Sequence, residues 1–366
     1  MRFRTEPSMR WISLLDDESP NIRAVLRMLL AEGEFERAAL LLDGLRAWTW
    51  ERGALHLRTL LERLEDAMPR IRVCGERAEA ALALALSGLY IRNDPQRAAQ
   101  YARSAYDLYD KLGDRIRACQ ALNAFLTGEF MATGTTAMEW KPVLEAAITV
   151  AEEHGEVTLA VDLLHRLGVL YAQQLDPTML ATAMECFTTG IDRLEANGDR
   201  ERAARLYGSS AEVAFHCGDI ADAIARVRRA IAIYEQSDEV WFIALQYMNL
   251  TVYASFARDF VTARVALAKT FDYAARFDDA LVQSFGFDTA VHLAALSGKQ
   301  SEAAILTGYA DAAHRGRSVR QPRDQLLLDR TLAEVRRVVS AEEFDRLYER
   351  GLSLSAAEAD ALARSL

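Results

Sequence analysis

The chain has 366 residues, of which 43 are Lys or Arg and 53 are Asp or Glu, so its formal net charge is −10. This acidic balance argues against a protein whose main task is to hold nucleic acid or an anionic membrane. With only 19 glycines and 7 prolines the chain has few helix breakers, a composition that favours helices over a large β-sheet. Its share of hydrophobic residues, 51%, is too high for a disordered chain. No apolar run is long enough for a membrane span or a secretory signal, so composition predicts a soluble, cytoplasmic, all-helical protein.

An internal repeat of 40 residues organises the second half of the chain. Three columns of residues recur at this spacing, and they are Ala183, Ala223, Ala263 and Ala303; Gly218, Arg258 and Gly298; and Asp199, Glu239 and Asp279. Self-similarity at a fixed period of this length is the sequence signature of a solenoid of stacked helix pairs.

Each repeat unit predicts two amphipathic helices. In chain order, Pro95 and Pro177 open second helices, because proline is tolerated in the first turn of a helix. The unit around Ala223 predicts a first helix from about Arg200 to Cys217, a break after it, and a second helix with apolar residues at i, i+3 and i+4 spacing. We expect about eighteen helices, with residues 1–19 as an N-terminal lead-in, 20–315 as a continuous repeat solenoid and 316–366 as capping helices.

The helix pairs resemble tetratricopeptide repeats. The matching residues are Leu167, Gly168 and Tyr171 of the Leu-Gly-x-x-Tyr motif, followed by Ala183, Phe187 and Gly190 with the small-large-small pattern of the second helix. This resemblance implies a right-handed superhelical solenoid of antiparallel helix pairs. The 40-residue period is longer than the usual one of about 34 residues, so each helix is expected to be up to one turn longer.

Both ends resemble the segments that open and close the helical-repeat region of bacterial STAND-class signalling ATPases. The opening segment, residues 11–53, carries Asn21, Arg23, Ala24 and Leu26, with Ile22 and Val25 as departures. The closing landmarks are Ala303-Ala304, Leu306-Thr307-Gly308, Phe344 and Gly351-Leu352-Ser353-Leu354. In such proteins a nucleotide-binding domain lies upstream of this region.

The resemblance implies a non-catalytic sensor or scaffold module that belongs to a transcriptional regulator of that class. Its expected ligands are a protein or a small polar effector or peptide, and an ATPase domain of the same or another chain is a further expected partner. Direct contact with nucleic acid or a membrane is not expected. The alternative is a free-standing tetratricopeptide adaptor that grips a peptide or helix of a partner protein.

The inner surface of such a solenoid is lined by the first helix of each pair. The inward positions predict a groove with an apolar floor and a few polar groups that orient the ligand, as is typical of binding pockets. The residues predicted to bind the ligand or partner there are Tyr90, Asp162, His165, Arg205, Glu212, His216, Met248 and His292. The same register places Phe285 and Asp288 inward.

A second candidate site is a basic loop after the last repeat. It contains Arg315, Arg317, Arg320 and Arg323 in an otherwise acidic chain. Clustered guanidinium groups favour contact with phosphate or with an acidic partner, although a solvated linker would have the same composition.

The sequence carries no catalytic or metal-binding pattern. The string from Ser297 to Gln300 lacks the upstream glycine and the hydroxyl of a phosphate-binding loop, and Gly208-Ser209-Ser210 falls inside a predicted helix. The histidines and cysteines are not paired at metal-ligand spacing. We therefore expect no enzymatic activity, no cofactor and no metal; a repeat-fold enzyme would need a constellation that is not recognisable here.

Overall fold

The computed structural model describes residues 14–45, 48, 57–91, 94–237, 240–276, 280–315 and 319–366. These residues form nineteen α-helices and one short 3-10 helix, and none of them belongs to a β-strand. The predicted all-α fold of successive helix pairs is therefore confirmed for this part of the chain. The glutamate and aspartate predicted at positions 239 and 279 lie outside the described residues, as does the start of the opening segment.

Packing divides the described residues into two compact units. Unit 1 comprises the residues up to Leu167 together with 197–199, and unit 2 comprises 168–196 and the residues from Arg200 to Leu366. The boundaries predicted at 19/20 and 315/316 remain predictions.

Unit 1 is built around one buried helix, α5. Every residue of α5 from Ala80 to its end at Tyr90 is buried, because α2, α3, α4, α6 and α7 all pack against it. The elements of this unit are α1 (Ser19–Ala31), α2 (Phe35–Gly44), α3 (Arg58–Asp66), α4 (Met68–Cys74), α5 (Glu76–Tyr90), α6 (Pro95–Lys111), α7 (Arg115–Thr133), the 3-10 helix (Met138–Trp140), α8 (Lys141–Glu153) and the first part of α9 (Val157–Ala172).

Unit 2 contains helix pairs in chain order, followed by three further helices. The elements are the end of α9, then α10 (Pro177–Ala196), α11 (Arg200–His216), α12 (Ile220–Ser237), α13 (Val240–Phe256), α14 (Phe260–Ala274), α15 (Ala280–Leu296), α16 (Gln300–His314), α17 (Pro322–Val338), α18 (Ala341–Leu352) and α19 (Ala356–Arg364). The pairs are α11 with α12, α13 with α14, and α15 with α16. The first helices α11, α13 and α15 pack side by side, α18 packs on α16, and α17 packs on α15 and α16.

The alanine column occupies fully buried positions on the second helices. All four alanines at the 40-residue spacing have 0% of their surface exposed. Ala223 of α12 lies in one apolar cluster with Ala211 and Ala214 of α11, as the sequence predicts. A small side chain lets the paired helices approach, and a larger one at this position would force them apart.

The second column marks the turns between paired helices, where the backbone adopts a left-handed conformation. Gly218 and Gly298 have φ angles of 85° and 88°, which glycine adopts without strain. Arg258 holds the equivalent position with φ 61° and donates a hydrogen bond from Nη1 to the carbonyl oxygen of Leu296 at 2.6 Å. An L-residue with a side chain is strained there, so this repeat departs from the rule that the other two obey.

Packing at the C-terminal end of unit 2 depends on a contact between two glycines. Gly308 of α16 and Gly351 of α18 face one another, and a Cβ placed on Gly351 would lie 1.9 Å from the carbonyl oxygen of Ile305. Only glycine permits the two helix backbones to approach this closely. The landmarks of the closing segment therefore have a packing role in this chain.

Candidate functional site

The structure divides the predicted groove residues between the two units. Tyr90, Asp162 and His165 belong to unit 1, on α5 and on the first part of α9, and the other five belong to unit 2. In unit 2 we define the inner face as the surface formed by Glu212 and His216 of α11, Phe256 of α13, and Asp288 and His292 of α15. Phe256 lies between α11 and α15: its ring centroid is 5.2 Å from that of Phe215 on α11 and 5.9 Å from that of His292 on α15.

Helix α17 lies across this inner face. At its first turn, Nε of Arg323 forms an ion pair with Oε1 of Glu212 on α11 at 2.8 Å. Eight residues later, about 12 Å along the helix, Oγ1 of Thr331 lies 2.8 Å from Nδ1 of His292 on α15. The helix thus bridges two first helices that are separated by α13. Glu212 and His292, both predicted to face a ligand, contact a helix of their own chain.

Arg323 is the most deeply placed cation in this contact. Its side chain is 9% exposed and that of Glu212 is 28% exposed. A guanidinium removed from water this completely needs a carboxylate partner, because an unpaired buried charge is far more costly than an exposed one. The carboxylate of Glu212 therefore offsets the cost of burying the guanidinium of Arg323.

A second charge cluster holds the chain just before α17. Arg320 donates two hydrogen bonds to Asp288, at 2.9 and 2.8 Å, and a third to Asp311 at 2.6 Å. Nε2 of His314 lies 2.8 Å from the same carboxylate of Asp288, and Tyr348 donates to Asp311 at 2.9 Å. Burial acts to raise the pKa of Asp288, but the bonds from His314 and Arg320 outweigh it and hold that pKa below its usual value.

The predicted basic loop is therefore not a free cationic patch in unit 2. Arg320 is half-buried and Arg323 is buried, both are paired with carboxylates, and Arg323 lies inside α17 rather than in a loop. Arg315 is exposed at the end of α16, and Arg317 lies outside the described residues. Arg320 and Arg323 pair with acidic groups of their own chain. Composition alone does not distinguish such paired arginines from a free cationic patch.

Burial sets the direction of the pKa shift of both histidines of the inner face and of Asp324 on α17. Burial lowers the pKa of His292 to about 4 and also lowers that of His216, where Glu212 opposes the effect and Arg323 and Arg330 add to it. Burial raises the pKa of Asp324 to about 7, with Arg323 opposing and Glu212 adding to the rise. Burial therefore favours the neutral form of each of these three groups.

Two other predicted residues of unit 2 have different surroundings. Met248 is 7% exposed and packs in an apolar cluster with Ala244, Ala274 and Val282, so its side chain contributes to the core. The guanidinium of Arg205 lies 5.2 Å from the ring centroid of Phe242. The structure does not bring either side chain to the ion pair of Glu212.

In unit 1 the predicted residues are also drawn into internal contacts. Tyr90 is 8% exposed and donates to Oε2 of Glu65 at 2.5 Å, in a cluster that includes Arg97 and Tyr101. His165 is 5% exposed, and its Nδ1 lies 3.2 Å from Nη2 of Arg166. Asp162 is half-buried.

Sequence reasoning missed three residues of this site, which are Asp311, Thr331 and Tyr348. They lie on α16, α17 and α18, outside the first helices from which the groove was predicted. No periodic signal marks them, because each contact involves a residue that follows the last helix pair, where the repeat has ended.

Two negative findings apply to the described residues alone. Within them, no group of three or more His, Cys, Asp or Glu side chains is placed to hold a metal ion. None of the helices they form combines the length and apolar character that crossing a membrane requires.

Comparison with known proteins gives little beyond the helical architecture. No protein-family model matches the chain, and no curated protein matches it. It is similar to the crystal structure of BtubC (BKLC) from P. vanneervenii, with 17% identity over 69% of this chain and 94% of that one and a TM-score of 0.42. A circular tandem repeat protein with novel repeat topology and enhanced subunit contact surfaces gives 18% identity over 98% and 91% of the two chains, with a TM-score of 0.23. Both TM-scores are too low to define the topology of this chain.

Proposed function

We propose that the chain is a non-catalytic helical-repeat binding module and that the inner face of unit 2 is its helix-binding surface. The observation that carries this proposal is the ion pair of the buried Arg323 with Glu212, through which α11 holds a helix from outside the repeats. Helix-in-groove recognition works in the same way, with one face of an amphipathic helix laid on a preformed surface.

In this proposal α17 is an internal ligand that competes with a partner. Its apolar residues Leu328, Leu332 and Val335 pack into the core of unit 2, while Arg323 and Thr331 supply the polar contacts. A partner helix with a basic residue at the matching position would bind when α17 is displaced. Binding shifts the population only as far as the partner prefers the state without α17.

The finer assignments belong to the same proposal. A sensor of a STAND-type transcriptional regulator would use release of α17 to signal to an ATPase domain, and a small polar effector or peptide would act by favouring the released state. A free-standing tetratricopeptide adaptor would use the same surface to grip a partner. An ATPase domain encoded in frame upstream of the chain would favour the sensor over the adaptor.

A peptide of residues 319–338, labelled with a fluorophore, tests the surface directly. Added to the full chain with its native α17, this peptide should not bind, because the surface is occupied. In the full-length variant Arg323→Ala, which weakens the internal contact, the peptide should bind with micromolar affinity and raise the fluorescence anisotropy. A peptide that carries glutamate in place of Arg323 should bind at least tenfold more weakly, because Glu212 would then meet a like charge.

Two double variants separate specific binding of the peptide from nonspecific binding. Arg323→Ala combined with Glu212→Gln should lose most of the affinity for the peptide, whereas Arg323→Ala combined with Glu302→Gln, at a half-buried position on α16, should keep it. Absence of peptide binding to every variant would refute the proposal. Equal binding with and without Glu212 would refute it as well.

A further inference from the structure

Unit 1 contains a cleft that the predicted groove does not include. It lies between α6 and α7, with Glu79 of α5 at its edge, and encloses about 780 Å³. Among its lining residues are Ala99, Arg103, Leu108, Phe125, Glu129 and Thr133. This volume falls within the range of small-molecule sites, which is about 300–1,000 Å³.

Glu129 is the carboxylate that stands out in this cleft. Its side chain is half-buried, and Oε2 is shielded from solvent with no hydrogen-bond partner in the part of the chain that the structure describes. Burial raises the pKa of Glu129, with Glu139 adding to the rise and Arg103 opposing it. A partly buried carboxylate without an ion-pair partner gains from a donor that reaches its side chain from the cleft.

The other charged groups of the cleft already have partners. Arg103 pairs with Asp107 at 3.1 Å, Glu79 pairs with Arg72 at 2.6 Å, and Lys111 pairs with a glutamate of α5. Of the three carboxylates that line the cleft within the described residues, Glu129 is the one that forms no ion pair. The unmet requirement of the cleft is therefore a positively charged hydrogen-bond donor.

Part of the wall beside Glu129 is apolar. Phe125 forms an edge-to-face contact with Trp140, their ring centroids 5.0 Å apart, and the guanidinium of Arg103 lies 5.1 Å from the centroid of Trp140. Ala99, Leu108 and Phe125 present hydrocarbon to the cavity. An aliphatic chain would bury its surface there while its charged end reached Glu129.

We propose that the cleft of unit 1 binds a small aliphatic amine, with the ammonium group donating to the carboxylate of Glu129 and the carbon chain lying against Ala99, Leu108 and Phe125. A metal ion does not fit, because only one of the three lining carboxylates lacks an ion-pair partner, and a single free carboxylate beside a guanidinium offers too few oxygen ligands. An anion does not fit either, because Arg103 and Lys111 are already neutralised. The net charge of −10 further favours a cationic ligand. This site is independent of the helix-binding surface proposed for unit 2.

Calorimetric titration of the full chain with 1,4-diaminobutane, spermidine and hexan-1-amine tests this inference. At least one of the three amines should bind with a dissociation constant below the millimolar range. Hexan-1-ol, which has the same carbon chain but no charge, should not bind detectably. The isosteric variant Glu129→Gln should weaken amine binding at least tenfold, and Glu145→Gln on α8, an exposed carboxylate outside the cleft, should leave it unchanged.

A second variant keeps the test decisive if Glu129→Gln alters folding. Ala132→Phe would place a ring in the cleft from the half-buried position of Ala132 on α7, and it should abolish amine binding while the circular dichroism spectrum stays helical. Lack of binding by all three amines would overturn the inference. Equal affinity in Glu129→Gln, or binding of a lysine-containing peptide when none of the free amines binds, would overturn it too.

Discussion

Arg258 offers the sharpest test of how the repeat determines the backbone. Its φ angle of 61° is one that glycine holds at the same position of the neighbouring repeats. An L-residue with a side chain is destabilised in this region by roughly 1–2 kcal/mol. Substitution by glycine removes this strain, but glycine loses more conformational entropy on folding, so only part of the strain energy is recovered as stability. The exposed hydrogen bond from Arg258 to Leu296 contributes about 0.5 kcal/mol in the opposite direction.

Three variants separate these two effects. Arg258→Ala removes the hydrogen bond and keeps the strain, so it should lower the free energy of unfolding by about 0.5 kcal/mol. Arg258→Gly removes both, so it should be about 1 kcal/mol more stable than Arg258→Ala. Gly218→Ala should lower stability by about 1 kcal/mol through strain alone, because a Cβ at Gly218 meets no atom within 4 Å.

Urea unfolding followed by far-ultraviolet circular dichroism measures these differences, and both positions lie in unit 2, so they report on the same unit. Equal stability of Arg258→Gly and Arg258→Ala would show that the left-handed turn is not the cause. The same conclusion would follow if Gly218→Ala were as stable as the parent chain.

Three further outcomes follow from the packing and titration of unit 2. Gly351→Ala places a Cβ 1.9 Å from the carbonyl oxygen of Ile305 and should destabilise the chain by at least about 3 kcal/mol in urea unfolding; an unchanged midpoint would contradict the helix contact. Ala223→Leu should lower the melting temperature through overpacking of about 1–3 kcal/mol, and a higher melting temperature would contradict the close pairing. Because burial lowers the pKa of His292 to about 4, the unfolded chain takes up a proton near pH 6.5 and the folded chain does not. Stability should therefore fall by up to about 3 kcal/mol as pH drops from 6.5 to 4, and His292→Gln should remove this part of the loss when unfolding is measured across that range.

Much of the fold follows from spacing alone. The 40-residue columns identify the buried alanines and the turn glycines of unit 2, and Pro95 and Pro177 begin helices as predicted. These features are local, because an i, i+3, i+4 pattern and a turn residue act within one helix pair. Sequence reasoning is strong where the structural cause lies within one helix pair.

The site depends on contacts that no local pattern records. Glu212 and Arg323 are 111 positions apart, and the sequence separates them into a groove and a basic loop, although the structure joins them. Met248 occupies an inward register position and yet lies in the core, since the register of a helix does not tell how far its neighbours cover it. The cleft of unit 1 was likewise invisible, because the spacing of Glu129 is that of an ordinary exposed helix residue.

The placement of α17 on the inner face of unit 2 is the central claim, and hydrogen–deuterium exchange of its amides tests it most directly. Removing the carboxylate with Glu212→Ala leaves the largely buried Arg323 unpaired, which should weaken the attachment of α17 by about 2 kcal/mol. Because 1.4 kcal/mol corresponds to a factor of ten, amides within 322–338 should exchange at least tenfold faster, while those of α14 should not change. The matched variant Glu302→Ala on α16 should leave α17 protected. Unchanged exchange of α17 in Glu212→Ala would contradict the claim that this inner face holds the helix.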